Sequence, residues 1–523
     1  MTVNEIVDRG LSVWERGLQQ PNRVAVVGLG GASITYGQLA SRAHQWAHAM
    51  SAAGVEAGDT VALLAPNSVA FLEVVAAALE SGVRLVPVNY HLAASEIAYI
   101  LTDSCAALVV ADDSVAETAG AAAAAANLPP QRCIAIGHIS GFTDMSSIVD
   151  VAPSTPPDDR KPGQRTYYTS GTTGRPKGVI KRAAEGDVDR LAVAQSARLF
   201  DSTGRGVDES TVTMVPGPLY HAAPMGAAWA ALQLGHLLVV MERFDAEAAL
   251  SLIERYHVTS TTMVPTMFVR MLQLDPTIRD KYDVSSLRQV AHAGAPCPVD
   301  VKRRMIEWLG PIINEYYAAS EGGGTRVSSE EWLQRPGTVG RATPGGGIKI
   351  LGDDGNELAP GETGRVFMLM REPFHYHNDA EKTAGAIVGD YFTVGDIGYL
   401  DDDGYLFLRD RSADVIISGG VNIYPAEAEA ALLGHDAVRD AAVVGVPDPD
   451  WGEAVRAVVQ LMPGIEPSDH LAHELIAHCQ ERLSKFKCPR AVDFVADLPR
   501  LDNGKLYKRM IRDRYWTGSD RAI

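Results

Sequence analysis

Between two apolar runs the chain reads Thr166-Tyr-Tyr-Thr-Ser-Gly-Thr-Thr-Gly-Arg-Pro-Lys-Gly178, a concentration of hydroxyls, glycines and one lysine suited to holding phosphates. Gly171, Gly174 and Gly178 permit backbone torsions and close approaches that a side chain forbids. Thr169, Ser170, Thr172 and Thr173 add hydroxyl donors to the backbone N–H groups, and Lys177 adds a cation. The order is not that of a Walker loop, because Pro176 precedes Lys177 and Gly178 stands where a Ser or Thr is needed. Nor does a helix follow. Gly178-Val-Ile-Lys181 reads as a strand, so the loop is expected to join two strands without a helix dipole. A second candidate is His221 in Pro216-Gly-Pro-Leu-Tyr-His-Ala-Ala-Pro224, a turn-rich segment expected to expose it; a lone loop histidine is more often structural than chemical.

These groups need a frame, and an α/β alternation supplies it. Thr35 can cap a helix to Ala53, followed by a strand at Val61–Ala65, a helix at Ser68–Leu79, a strand at Leu85–Val88, a helix at Ala94–Leu101, a strand at Ala106–Ala111 and an alanine-rich helix ending before Asn127. That rhythm predicts βαβ units around a mostly parallel sheet. Further strands are expected at Thr211–Val215, Val258–Pro265, Arg288–Ala291 and Ile312–Tyr317, several ending in Gly-, Ala- or Pro-rich turns such as Ala318–Gly324, where open α/β sheets bind ligands. Beyond Thr338 short strands with Gly-Asp turns predict a small antiparallel subdomain, and Leu406–Asp414 reads as charged and strand-interrupting. The remainder reads as a compact α+β domain: a strand at Val415–Ile417, a loop Ser418–Pro425, a helix from Pro425 through Leu433, strands at Ala441–Val446, Ala454–Leu461 and Val492–Val495, and a helix at Ser468–Leu483.

With 523 residues the chain exceeds one hydrophobic core, and its net charge of -18 argues against a general nucleic-acid or anionic-membrane binder. A phosphate ligand must therefore meet locally placed Lys and Arg. The five cysteines are scattered without ligand spacing, the N-terminus lacks the basic-then-apolar order of a secretory signal, and Glu73 interrupts the most apolar stretch, Val69–Leu79. A cytoplasmic protein without a transmembrane segment is expected; peripheral membrane contact and a homodimer stay open.

The ordered series Tyr168–Gly178, Pro218-Leu-Tyr-His221, Ala293-Gly-Ala-Pro296, Tyr317-Ala-Ala-Ser-Glu321, Thr393-Val-Gly-Asp396, Asp410-Arg411, Ser418-Gly-Gly-Val-Asn-Ile-Tyr-Pro425 and Pro499-Arg-Leu-Asp-Asn-Gly-Lys505 resembles the adenylate-forming enzymes, which include acyl-CoA synthetases, firefly luciferase and the adenylation domains of peptide synthetases. The resemblance runs from Thr35 to Arg512. It implies activation of a carboxylate with MgATP to an acyl-adenylate and pyrophosphate, then transfer of the acyl group to a thiol. It implies a large N-terminal domain binding ATP and acyl group over residues 1–409, a hinge at 410–413, and a small mobile C-terminal lid over 414–523.

By resemblance the opening loop holds the β- and γ-phosphates, Glu321 coordinates Mg²⁺ with Ser320 close by, and Gly294, Ala295 and Tyr317 line the adenine slot. Asp396 accepts both ribose hydroxyls with Arg411 assisting, Gly420 lies along the coenzyme A pantetheine tunnel, and Lys505 bridges carboxylate and α-phosphate. His221 shapes the passage between the acyl pocket and the thiol channel. The acyl pocket is expected to draw on Met225, Gly226, Trp229, Val264, Met267, His292, Ala319 and Gly322 to Gly324, a small and mainly apolar set without Lys or Arg. This points to a hydrophobic acid, a fatty acid first, with aryl and steroid-side-chain acids as alternatives. Lys485, Lys487 and Arg490 are candidates for the CoA phosphates.

Departures from the family pattern are Ala318 and Ser320 for the usual Gly and Thr, and Ala413 where the hinge usually carries Asp or Lys, which leaves the pivot open between Asp410 and Ser412. The chain ends soon after Lys505 without a carrier segment, and Gly345–Met370 is continuous without the insertion of fatty acyl-AMP ligases, so an acyl-CoA ligase is expected. The rival class is a protein that binds or makes an adenylate without passing it on.

Overall fold

A computed structural model describes residues 6, 10–31, 33–169, 176–202, 210–411, 414–418, 421–500 and 506–516. Ser170, Gly171, Thr172, Thr173, Gly174, Gly420 and Lys505 lie outside the described residues, as do Ser412 and Ala413 and the side chains of Thr169 and Arg411.

The expected βαβ alternation forms a six-stranded parallel sheet among the described residues. Its order is Thr143–Asp144, Cys133–Ile136, Ala106–Asp112, Thr60–Leu64, Arg84–Pro87, Gln164–Arg165. Thr35 caps the helix Tyr36–Ala52: its hydroxyl accepts from Gln38 N, and the Gln38 side chain accepts from Thr35 N. Ser68 caps Val69–Glu80 in the same way at one end, and the alanine run forms the helix Ala116–Ala125. The helices Tyr36–Ala52 and Val69–Glu80 pack into one apolar cluster that reaches Val61 and Leu85 of this sheet and Val26, Val215 and Leu238 of the next.

That next sheet has nine strands among the described residues, in the order Arg341–Ala342, Gly322–Val327, Ile313–Ala319, Gln289–His292, Ser260–Met263, Val212–Val215, Leu237–Val240, Val24–Val27, Ser33–Thr35. The strands from Ile313–Ala319 to Val24–Val27 are parallel, and antiparallel hairpins close both edges. Past Thr338 an antiparallel sheet forms as expected, from Ile348–Leu351, Gly364–Leu369, Ile387–Val388, Tyr391–Phe392, Asp396–Leu400 and Leu406–Arg411. The C-terminal strands Val421–Ile423, Ile416–Ser418, Gly452–Leu461 and Val438–Asp448 pair antiparallel, with Ala491–Val495 added in parallel.

Several expectations need correction. Leu406–Arg411 is not an interruption but a strand: Leu406 is buried, Phe407 stacks on Tyr399 at 5.0 Å, Arg409 lies over the same ring at 4.9 Å, and the carboxylate of Asp410 is enclosed and accepts from Ala426 N. Ser418–Pro425 is not simply a loop. Ile416 and Ile423 are buried opposite one another while Ile417 and Val421 are exposed, a period of two that makes a hairpin. The strand Ile313–Ala319 runs two residues into the segment read as a turn and resumes at Gly322–Val327. His221 is half-buried at the N-cap position of the helix Ala222–Gln233, rather than exposed.

Candidate functional site

Four adjacent parallel strands deliver site residues from their C-terminal ends: Val212–Val215 leads to His221, Ser260–Met263 to Val264 and Met267, Gln289–His292 to Gly294 and Ala295, and Ile313–Ala319 to Ser320 and Glu321. The buried side chain of Asn67 donates to the carbonyls of Gly217 (3.0 Å) and Met241 (2.8 Å) and accepts from Leu219 N at 2.7 Å, pinning the turn before His221. Pro265 opens the helix Pro265–Leu272. A Cβ on Gly217 would lie 4.0 Å from the tip of Met267, and one on Gly294 would lie 3.6 Å from Val264, so these two apolar side chains border the turns. Gly226 faces Leu199, whereas Met225 is buried in the shared core and Trp229 meets Trp14 edge-on at 5.6 Å.

The hairpin after Ile313 is the hub. Tyr317 donates its hydroxyl to Asp396 Oδ2 at 2.6 Å, and Asp396 pairs across the strands with Arg411. From the strand Phe374–Tyr376, Tyr376 donates to Glu321 Oε1 at 2.7 Å; burial, then the Glu321 charge, pushes the Tyr376 phenol far up, so it stays a donor. A Cβ on Gly324, whose φ is +144°, would lie 2.6 Å from the Tyr317 carbonyl, so this position requires glycine for the hairpin to close. Lys177 begins the strand Lys177–Lys181, which pairs with Tyr168–Thr169 on one side and Phe374–Tyr376 on the other. The loop therefore does join two strands, as expected. Lys177 Nζ lies 3.3 Å from Asp379 Oδ2. Asn67, Tyr376, Asp379 and Lys382 carry no motif of their own; only their pairing in space brings them to these turns.

Beneath the strand ends sits a buried ionic group. Lys302 Nζ bonds Glu315 Oε2 at 2.6 Å and lies 4.7 Å from the centre of the Trp332 ring. His292 Nε2 is 3.4 Å from the same oxygen, and its ring meets Phe268 edge-on at 5.2 Å. Burial, then Lys302, holds His292 well below the usual imidazole range, while burial raises Glu315 against the pull of Lys302. A neutral imidazole thus borders a Lys–Glu pair. Ala319 and Gly322 flank the Ser320-Glu321 turn, facing each other across the hairpin.

In the C-terminal domain the basic stretch is largely paired. Lys487 reaches Glu427 at 2.5 Å, and Arg490 reaches Asp448 at 3.3 Å while lying 5.2 Å over the Trp451 ring. Among the described residues no cluster of three or more His, Cys, Asp or Glu could hold a metal. A magnesium ion fits here only in its common habit, leaning on one carboxylate and on substrate phosphates; Glu321, 7 % exposed and with one oxygen engaged by Tyr376, suits that role. No helix among the described residues is long and apolar enough to cross a membrane.

Turns at the carboxyl ends of a parallel sheet, where open α/β sheets bind ligands, are tied by Tyr317–Asp396 to the antiparallel sheet and by Glu321–Tyr376 to the three-stranded one. The chain belongs to the AMP-binding enzyme family: residues 13–373 match the AMP-binding enzyme domain and residues 427–505 the AMP-binding enzyme C-terminal domain. It is 34% identical to a fatty acid–[acyl-carrier-protein] ligase of Streptomyces coeruleorubidus over 94% of each chain. It is 33% identical to a feruloyl-CoA synthase of Amycolatopsis sp, over 97% of this chain and 99% of that one. Among solved structures, an amide bond synthetase from Marinactinospora thermotolerans superposes with a TM-score of 0.80 at 28% identity, over 96% of this chain and 99% of the other. The chain is an adenylate-forming enzyme of the AMP-forming acid–thiol ligase class.

Proposed function

We propose that this enzyme activates a hydrophobic carboxylic acid with ATP, releases pyrophosphate, and passes the acyl group to coenzyme A. The observation that carries the reading is that one hairpin at the mouth of the parallel strands is tied to two other sheets, by Tyr317 to Asp396 of the antiparallel sheet and by Glu321 to Tyr376 of the strand beside Lys177–Lys181. In this reading the Asp396 carboxylate, now accepting a phenol, accepts the ribose hydroxyls with Arg411 beside it, and Gly294, Ala295 and Tyr317 border the adenine. Bound at Glu321 with Ser320 near it, Mg²⁺ would neutralise phosphate charge. Lys177 and the Thr169–Gly174 loop grip the departing phosphates. Lys505 neutralises the charge that develops where carboxylate meets α-phosphate. Residues 410–413 act as the hinge, and Gly420 and His221 border the thiol path.

The acid is read as a fatty acid first, because Val264 and Met267 border the strand-end turns and a relative is a fatty acid ligase. An aryl acid is the second reading, favoured by the feruloyl-CoA synthase. The three similar proteins use three acceptors by name, a carrier protein, CoA and an amide-forming partner, so the acceptor needs its own test. Acyl products from one activated acid offered CoA, a holo-carrier protein and a primary amine at equal concentration should be dominated by the CoA thioester. Product mainly on the carrier or the amine would replace CoA in this account, and adenylate without transfer would make the protein an adenylate former alone.

A further inference from the structure

Beside Glu321 the structure gathers more positive charge than the family motif supplies. The strand Phe374–Tyr376 pairs with Lys177–Lys181, and the chain then turns through Asp379 into the helix Ala380–Ala386. As a result Lys177 and Lys382 lie over the same Tyr376 ring, their ammonium groups 5.5 Å and 5.9 Å from its centre. Lys181, on the same strand as Lys177, comes within 4.0 Å of where a Cβ on Gly322 would fall, next to Glu321. Three lysines thus sit among three carboxylates, Glu321, Asp379 and the exposed Glu372 that faces Lys181, with two of the ammonium groups, Lys177 and Lys382, brought to one ring. Two ammonium groups held over one ring repel each other, and burial, then Lys177, pushes Lys382 down to about 8. An anion bound against both ammonium groups relieves that repulsion.

We propose that Lys382 is a second cation for the polyphosphate end of ATP, acting with Lys177 across Tyr376 to hold the β- and γ-phosphates and the pyrophosphate they become. The proposal rests on the reading that the enzyme makes an acyl-adenylate, and it adds a residue outside the glycine- and hydroxyl-rich loop. Lys382 is reached only through the Phe374–Tyr376 pairing, some two hundred residues from that loop in sequence. Its chemistry selects a compact polyanion over a nucleoside monophosphate, because it stands beside Lys177 and Glu321 and not beside Asp396.

Calorimetric titration of the full chain with inorganic pyrophosphate and, separately, with AMP tests this. In Lys382→Met pyrophosphate affinity should fall about tenfold, as expected for one charged hydrogen bond, while AMP affinity stays within about twofold. Lys382→Arg, which keeps the charge, should stay within about threefold of wild type for both. Wild-type pyrophosphate affinity in Lys382→Met, an equal loss of both ligands, or no pyrophosphate binding by the wild-type chain overturns the proposal. The result is separable from the activity: a wild-type chain that binds pyrophosphate through Lys382 yet releases none with any acid would contradict the proposed reaction and leave this site standing.

Discussion

At the scale of single residues, the proposed reaction divides positive charge between the two ends of the ATP phosphates. Lys177 and Lys382 sit at the Tyr376 ring, and Lys505 is assigned the α-phosphate. Lys505→Ala should therefore lower pyrophosphate release by about a hundredfold or more, while thioester formation from supplied acyl-adenylate and CoA largely persists. Equal loss of both half-reactions in a folded variant would remove the separate role of Lys505. His292 makes a prediction of a different kind. Its folded-state pKa lies below the unfolded value near 6.5, so the unfolded chain takes the proton first. The stability it contributes is complete above that pH and is lost as pH falls, by up to about 1.4 kcal/mol per pH unit for one proton. Denaturant midpoints at pH 7 and pH 5.5 should show a steeper acid loss in wild type than in His292→Leu; parallel losses would mean that the imidazole takes up a proton in the fold.

At the scale of elements, the hairpin Ile313–Val327 carries Tyr317, Ser320 and Glu321, and its closure depends on Gly324. Gly324→Ala combines a φ of +144° with a contact of 2.6 Å to the Tyr317 carbonyl, and should cost roughly 1–3 kcal/mol of stability together with ATP affinity. Unchanged ATP binding in that variant would show that the hairpin does not position the nucleotide site. Much of this architecture is legible in the sequence, because Thr35 and Ser68 announce helix starts and the buried parallel strands are short apolar runs. The loop's position between two strands is legible too, from Gly178-Val-Ile-Lys181. What stays hidden has local causes. Leu406–Arg411 looks interrupted because its second half is three consecutive charges, Arg409, Asp410 and Arg411, and Val421–Ile423 looks like a loop because a glycine pair precedes it. Tyr376, Asp379 and Lys382 stay hidden because their meeting with Lys177 and Glu321 is a long-range pairing with no local pattern.

At the scale of the molecule, the proposed function has the C-terminal domain present Lys505 for the first half-reaction and the Gly420 segment for the second. The junction is chemically anchored on its described side: Asp410 Oδ2 accepts from Ala426 N at 3.1 Å, and Lys508 bonds Glu429 at 2.9 Å and lies 4.0 Å from Asp410. With Asp410 so engaged, a new carboxylate three residues on should retune the pivot, and Ala413→Asp is expected to change the thiol-transfer rate more than the adenylation rate. No change in either rate would mean that the position plays no part in the pivot. The central claim is carboxylate activation by ATP, and the most direct measurement of it is pyrophosphate release by the full chain across fatty, aryl and steroid-side-chain acids, with and without CoA. The account predicts release that depends on the acid, is greatest with a hydrophobic one, and is accelerated by CoA as the thioester appears; release indifferent to the acid, or none with any of them, would contradict it.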